Sequence, residues 1–463
     1  MLKPEVIAAL TKIVGREFVL TSPEDMVCYA YDGTWLESRP DAVVLPGSTA
    51  EVAEVVRLAD HERVAIIPRG AGSNLSGGTI PLYGGLVLVL TRLDQILEID
   101  AANLVARVQP GVITARFQAE VEKQGLFYPP DPSSLKQSTI GGNVGENAGG
   151  PHCLKYGVTS NYVLGLEVVT PTGEVCRLGG KVMKNVTGYQ MAQLFVGSEG
   201  TLGVITEVTL RLIPLPKYQR TTMAVFSSME HAGQAVSDII AAKIVPASLE
   251  FMDQTTLRCV EEYLQAGLPV HAGAVLLVEV DGNDQAAIGA ETAKAAAICA
   301  QNHASEVKTA ATASESAVLW AARRALSPSL ARMRPNKVGE DICVPRSMIP
   351  EMVRRVQEIA AKYDLLIPIF GHAGDGNLHP NILFDRRNPE EMERVHAASG
   401  EIFAAAVALG GTLSGEHGIG LLKREFLHLG LQPEAIDLMK RLKQALDPHG
   451  IMNPGKIFAE ASA

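Results

Sequence analysis

Cysteine is scarce and scattered in this sequence. Its six residues (Cys28, Cys153, Cys176, Cys259, Cys299 and Cys343) include no C-x-x-C pair, which excludes zinc ribbons, thioredoxin-type redox motifs and a ligand set for an iron–sulfur cluster. Inert thiols in a reducing compartment are the reading that remains. Basic charge is not in excess either: 41 basic residues stand against 51 acidic ones, a net charge of −10. Nucleic acid and anionic membranes attract a basic face, so neither is an expected partner. No apolar run approaches the roughly 18 residues of a membrane span. Pro4 and Glu5 fall where a signal peptide needs an apolar core, so the expected location is cytoplasmic. Aromatic residues reach only 5%.

Glycine, by contrast, is plentiful, with 43 residues among 463. Such an excess supplies tight turns and lets the backbone approach a ligand closely. The apolar content of 47% and charged content of 20% are those of an ordinary folded chain. At roughly 150 residues per domain, the length predicts two or three domains.

Up to about Asp41 the pattern is helical, with Ser22 as an N-cap before Pro23. Ser48 and Glu51 make a capping box for a helix to about His61. Val64 to Ile67 reads as a strand ending in a glycine-rich loop. Strands follow at Leu86–Leu90 and Leu104–Val108, then a helix over Thr114–Gln124. From Tyr162 to Leu212 the reading is mostly strand, with a turn at Pro171–Thr172–Gly173. Two prolines in Ile213–Pro214–Leu215–Pro216 mark a boundary. Beyond it strands (Met223–Phe226, Val275–Val280) alternate with Ala-rich helices (Gln285–Gln301, Ile349–Lys362). That region reads as α+β, one sheet covered by helices on one face.

Three glycine-rich loops carry the first chemical signal. P-R-G-A-G-S-N-L-S-G-G (Pro68 to Gly78) follows a strand, yet Leu75 stands where a G-x-G-x-x-G fingerprint needs its third glycine, and no helix follows. A nicotinamide-type Rossmann site is therefore not expected. What survives is a run of backbone N–H groups suited to an anion such as a pyrophosphate. S-T-I-G-G-N-V-G-E-N-A-G-G (Ser138 to Gly150) and G-S-E-G-T-L-G-V-I-T (Gly197 to Thr206) are the second and third loops. Each alone is an ordinary turn; together they suit a long cofactor with a pyrophosphate at its centre.

These loops, with D-P-S-S (Asp131 to Ser134), T-G-Y-Q-M-A-Q-L-F-V (Thr187 to Val196) and a terminal N-P-G-K, resemble the FAD-linked oxidases of the vanillyl-alcohol oxidase type. Within them the branch is that of glycolate oxidase FAD-binding subunits and the D-lactate and D-2-hydroxyglutarate dehydrogenases. The resemblance runs from about Tyr31 to Lys456. It implies an α+β fold with a two-lobed FAD-binding domain and an α+β substrate cap. The expected divisions are a helical segment over 1–40, the FAD-binding domain over 41–215, the cap over 216–420, and a C-terminal segment over 421–463 returning to the FAD domain. Some members of the fold bind FAD through a histidine in the first loop. Here Ala71 and Gly72 occupy that region, so non-covalent FAD is expected. By resemblance Arg69, Gly70, Ala71, Gly72, Ser73, Asn74, Gly77 and Gly78 wrap the pyrophosphate. Ser138, Gly142, Asn143 and Gly149 line the same cofactor, Gly200, Gly203 and Ile205 approach its adenine half, and Asn453 its flavin end.

Among the 11 histidines, His61, His231, His303 and His428 sit in polar helical settings and read as surface residues. F-G-H-A-G-D-G-N-L-H-P-N (Phe370 to Asn381) differs: turn residues separate His372 from His379, as in a hairpin that brings both together. S-G-E-H-G-I-G (Ser414 to Gly420) adds Glu416 and His417. Two imidazoles and a carboxylate read either as an open three-ligand metal site or as a hydrogen-bonded turn cluster. The resemblance implies the metal, zinc or manganese, on His372, His379 and Glu416. A metal on a substrate hydroxyl lowers its pKa, and His417 then suits the general base, or merely orients its neighbour.

A substrate carboxylate needs a cation, and in W-A-A-R the resemblance assigns this to Arg323, on the helical face of Trp320. Lys337 is a second candidate, and Asn381 matches a polar substrate-side residue. Arg324, Arg332 and Arg334 read as a solvated face. The function expected is oxidation of a small, D-configured 2-hydroxy acid such as glycolate or D-lactate. The alternatives are a subunit active only in a multi-subunit glycolate oxidase and a catalytically silent flavoprotein component. Electrons would leave through a separate iron–sulfur subunit, a quinone or a soluble acceptor, with peripheral membrane attachment through such a partner. A homodimer is a further expectation.

Overall fold

The structure, a computed structural model, describes residues 2–459. It divides into two compact units: the first takes the chain up to Gly149, Val158–Leu215 and the chain from Glu416 on, and the second takes Gly150–Gly157 and Pro216–Gly415. The change of unit thus falls after Gly415 rather than after Gly420. Gly150–Gly157 joins the second unit because Lys155 Nζ and the Tyr156 hydroxyl both donate to Asp281, to its carbonyl oxygen and Oδ2 respectively, each at 2.7 Å.

The first unit holds two main sheets. In one, Ile66–Arg69, Leu86–Val89 and Ala42–Val44 run parallel, with Val19–Leu20 antiparallel at the edge. All but Pro68 of these parallel strand residues are buried, as a sheet covered on both faces requires. The helix Thr49–Glu62 covers it, and Ser48 Oγ caps the Glu51 amide at 3.2 Å while Glu51 accepts from Gly47 rather than closing the box on Ser48. The chain end completes the sheet: Ile66 N donates to Ile451 O and Asn453 N to Ile66 O, both at 2.7 Å. The second sheet is antiparallel, in the order Ile96–Asp100, Val105–Val108, Val204–Arg211, Val163–Val169, Val175–Gly179. Leu104, read as strand, instead has φ +55° and turns the chain into Val105.

The Ser138–Gly150 stretch, read as a loop, contains the helix Ile140–Glu146. Thr139 caps it through Gly142 N, and a Cβ on Gly141 would collide with Pro110. Close packing has overridden the poor helix propensity of three glycines.

The second unit is built on an antiparallel sheet in the order Ala304–Thr309, Tyr218–Phe226, Ala274–Gly282, Ser248–Asp253, Ile369–His372, Asn377–Phe384, Asn336–Gly339, with Ile342–Cys343 also pairing to Asn377–Phe384. Every residue of Ser248–Asp253 and Asn377–Phe384 is buried. Both faces are therefore covered, not one as the strand–helix alternation suggested. Val225, Val275, Met252 and Phe370 form a cross-strand apolar row, and Leu257 and Val260 of the helix Gln254–Leu264 pack on it together with Ala322, Ala325 and Leu326. The helix Gln285–Gln301 packs along Tyr218–Phe226 and Ala304–Thr309. Of the histidines read as surface residues, His61 and His428 are exposed. His303 is exposed as well, and only His231 is half-buried; their rings meet at a tilt, 4.8 Å between centres.

Candidate active site

Side chains alternate across a strand, and residues directly opposite in an antiparallel pair share a face. Applied to the second unit, this rule places Glu250 beside His372 and His372 beside Asn377. Phe370 lies opposite His379, and Asn381 opposite Gly339, two residues from Lys337. Glu250, His372, His379, Asn381 and Lys337 thus occupy one sheet face. The tight turn between the histidines carries Gly376 at φ +88°, where a Cβ would overlap the Val344 carbonyl oxygen.

The histidine rings meet edge to face, 5.2 Å between centres. His372 Nδ1 lies 2.5 Å from Glu250 Oε1, and Arg323 Nε donates to Glu250 Oε2 at 2.8 Å. Burial alone would raise the Glu250 pKa, but the facing His372 and Arg323 outweigh it and hold the carboxyl below its ordinary range. Arg323 also lies over the Phe370 ring, 4.9 Å from its centre. Its side chain is only 9% exposed, and its Nη nitrogens have no acceptor among the described residues. Lys337 donates to Ser327 Oγ at 3.2 Å, and burial lowers its pKa. Arg324 and Arg332 are exposed; Arg334 is exposed too but pairs with the buried Glu391 at 2.7 Å.

Asp341 is fully buried on the same side of the hairpin, 3.7 Å from His379 Nδ1. It accepts from Asn377 Nδ2 at 2.7 Å, Ser414 Oγ at 2.6 Å and Gly415 N at 2.9 Å. Glu416 and His417 come next in the chain, so the backbone leading into them is held by this carboxylate. Neither Glu250 nor Asp341 was singled out from the sequence. The one available signal was an acid inside an apolar run, as in S-L-E-F-M-D.

In the first unit the glycine loop is held from behind. Arg69 turns inward, donating to Tyr31 O at 2.8 Å and Thr79 Oγ1 at 3.2 Å, rather than outward to an anion. Asn74 Nδ2 donates to Asp32 at 2.8 Å. The amides of Ala71, Gly72, Ser73, Asn74 and Leu75 have no acceptor among the described residues. Gly72 and Gly77 have φ +68° and +79°. Ser138 and Asn143 are buried on Thr114 Oγ1, at 3.0 and 2.8 Å, so their side chains shape the cradle from within. Gly149 ends the segment after that helix, Gly200 (φ +68°) rests on Pro68, and Gly203 leads into the strand Val204–Arg211, whose second residue is Ile205. Asn453 Nδ2 joins Gly78 O at 2.8 Å to Glu199 O at 2.6 Å.

Beyond His417, the Glu199 carboxylate accepts from Ile419 N at 2.8 Å and Gly420 N at 2.7 Å. Burial pushes its pKa up to about 7 against these bonds, and burial with the neighbouring Glu199 charge raises that of Glu146 well above the usual range.

Residues 40–179 match the FAD binding domain family, and residues 215–457 match the FAD linked oxidases, C-terminal domain. Two solved structures share the fold: p-cresol methylhydroxylase (TM-score 0.80, 17% identity, 98% of this chain and 96% of that one) and 4-ethylphenol oxidase from Gulosibacter chungangensis (TM-score 0.79, 20% identity, 98% and 97%). The family matches define an FAD-dependent oxidoreductase, and its fold is that of the vanillyl-alcohol oxidase type. The chain is 51% identical over 461 residues to glycolate oxidase subunit GlcD of Bacillus subtilis (strain 168), covering 99% of this chain and 98% of that protein. It is 36% identical over 465 residues to D-lactate dehydrogenase of Anaerostipes hadrus, covering 98% and 97%. The chain belongs to the FAD-linked oxidase family.

The residues present fit FAD. Five successive amides without an acceptor among the described residues, on a loop bent through positive φ, are the donors a pyrophosphate needs. The donor chemistry of the hairpin also fits a divalent metal, with two adjoining imidazoles and buried carboxylates beside them. Among the described residues, no helix is long and apolar enough to cross a membrane.

Proposed function

We propose that the chain oxidises a small 2-hydroxy acid, D-configured where it is chiral, such as glycolate or D-lactate, to the 2-oxo acid. The observation that carries this reading is Arg323: a nearly buried guanidinium, fixed through Nε, with its Nη end left for a ligand. A planar guanidinium takes a carboxylate there in bidentate fashion. Asn381 and Lys337, on the same sheet face, orient the acid's polar atoms. His417 accepts the hydroxyl proton, since imidazole titrates near neutral pH.

FAD would be held without a covalent link on the loop amides of Ala71 to Leu75, and would supply the two-electron acceptor chemistry for the α-hydrogen. A divalent ion, zinc or manganese, on His372, His379 and Glu416 would lower the pKa of the hydroxyl. The names of the relatives at 51% and 36% identity support the substrate class. The first is named a subunit, and the scattered cysteines leave this chain no cluster of its own. Electrons therefore pass to a separate iron–sulfur subunit, a quinone or a soluble acceptor, and the chain works in the cytoplasm, alone or attached peripherally through such a partner. A homodimer is compatible with this scheme.

Dye-linked turnover of the purified protein over a panel of D- and L-2-hydroxy acids tests the proposal. Turnover of glycolate or one D-acid, with matching L-acids inert, is expected. Flavin that stays oxidised with every acid under anaerobic conditions overturns it.

A further inference from the structure

We infer that Glu250 is a positioning residue that sets the metal-binding histidine and the substrate-binding arginine with one carboxylate. The inference rests on the proposed function and deepens it. Glu250 sits mid-strand in Ser248–Asp253 and is 1% exposed, where an acid is costly unless its oxygens are well partnered. Its two oxygens are divided between two partners: Oε1 faces His372 Nδ1 at 2.5 Å, and Oε2 accepts from Arg323 Nε at 2.8 Å.

Each bond sets the orientation of the partner and the role of its other atoms. A carboxylate on Nδ1 holds the imidazole proton there, which makes Nε2 the electron-donating nitrogen of the ring and raises its basicity. A carboxylate on Nε leaves the two Nη groups of Arg323 as the donating edge. The Phe370 ring fixes the guanidinium plane from one side. Because both oxygens belong to one rigid group on a central strand, the histidine and the arginine are set relative to each other. A ligand with a hydroxyl two bonds from its carboxylate carbon needs that spacing fixed. Glutamine has a single acceptor oxygen, and its amide nitrogen would face a donor. It therefore serves one partner and repels the other.

The test is Glu250→Gln, with Arg323→Ala and His372→Ala as references, in the FAD-loaded full chain. Zinc affinity is read by equilibrium dialysis, coordination by the visible spectrum of the cobalt-substituted protein, and KM and kcat by dye-linked turnover. Glu250→Gln is expected to weaken zinc at least tenfold, alter the cobalt spectrum and raise KM for the acid at least tenfold, with FAD content unchanged. Arg323→Ala should raise KM alone, and His372→Ala should lose zinc with FAD content unchanged. If Glu250→Gln does not fold, Glu250→Asp decides, with smaller changes expected in both readouts. A folded variant with wild-type zinc affinity and KM overturns the inference. Wild-type protein that binds no zinc and oxidises no 2-hydroxy acid overturns the proposed function, and this inference with it.

Discussion

Arg323 is worth isolating from its neighbours because its charge has two candidate uses. Replacing it by alanine removes the proposed carboxylate partner and leaves the glycine loops untouched. Loss of one buried charged contact costs about 2–5 kcal/mol, so kcat/KM should fall well over tenfold with FAD content normal. Wild-type efficiency on every acid would assign the grip to Lys337. The histidines separate by role in the same way. His379→Ala is expected to lose metal and activity together, and His417→Ala to keep the metal, measured by elemental analysis, while losing most of the rate. His372 and His379 were legible because turn residues stand between them in a short stretch of chain. Glu250 lies 122 positions from His372, and only strand pairing makes them neighbours. A lone acid in an apolar strand does not announce its partner.

At the scale of single elements, Asp253 offers a titration that can be isolated. It caps the helix Gln254–Leu264 through Oδ1, which also accepts from Ile369 N at 3.1 Å, while Oδ2 is buried without a hydrogen-bond partner among the described residues. Burial pushes its pKa up to about 6. Between the ordinary carboxyl value and 6 the native state holds a proton that the unfolded chain has released. This contribution to stability is complete at low pH and disappears as pH rises through 6. Asp253→Asn keeps the Oδ1 acceptor without the charge. Its unfolding free energy relative to wild type, measured by denaturant titration, should rise from pH 4 to pH 7 by up to about 3 kcal/mol; a difference flat in pH would show that Asp253 does not titrate there. Helix caps at Ser22 and Ser48 were readable because they depend on two or three adjacent residues. The helix Ile140–Glu146 was not, since its cause is a close approach to Pro110 from elsewhere in the chain. The doubly covered sheet escaped for a similar reason: a fully apolar strand has no alternation to show which side is open.

For the whole molecule, the loop amides and the absence of a nearby histidine lead to one measurement. The purified protein should be yellow, and acid precipitation should release the flavin to the supernatant. Colour retained in the pellet would mean a covalent link. The order of the glycine loops and the terminal N-P-G-K made the family legible in the sequence, because those motifs are local and many. The division after Gly415 was less so, since nothing in S-G-E-H-G-I-G marks a change of unit.

That division bears on how the protein is made. The second unit is almost continuous, from Pro216 to Gly415, whereas the parallel sheet of the first is finished only when Ile451 to Asn453 reach Ile66. On the ribosome the usual amino-to-carboxyl order of domain maturation is then reversed. The second unit can fold while the first still waits for the pairing of Ile451 to Asn453 with Ile66. A nascent chain arrested near Leu446 should resist protease over the second unit, yet retain no flavin.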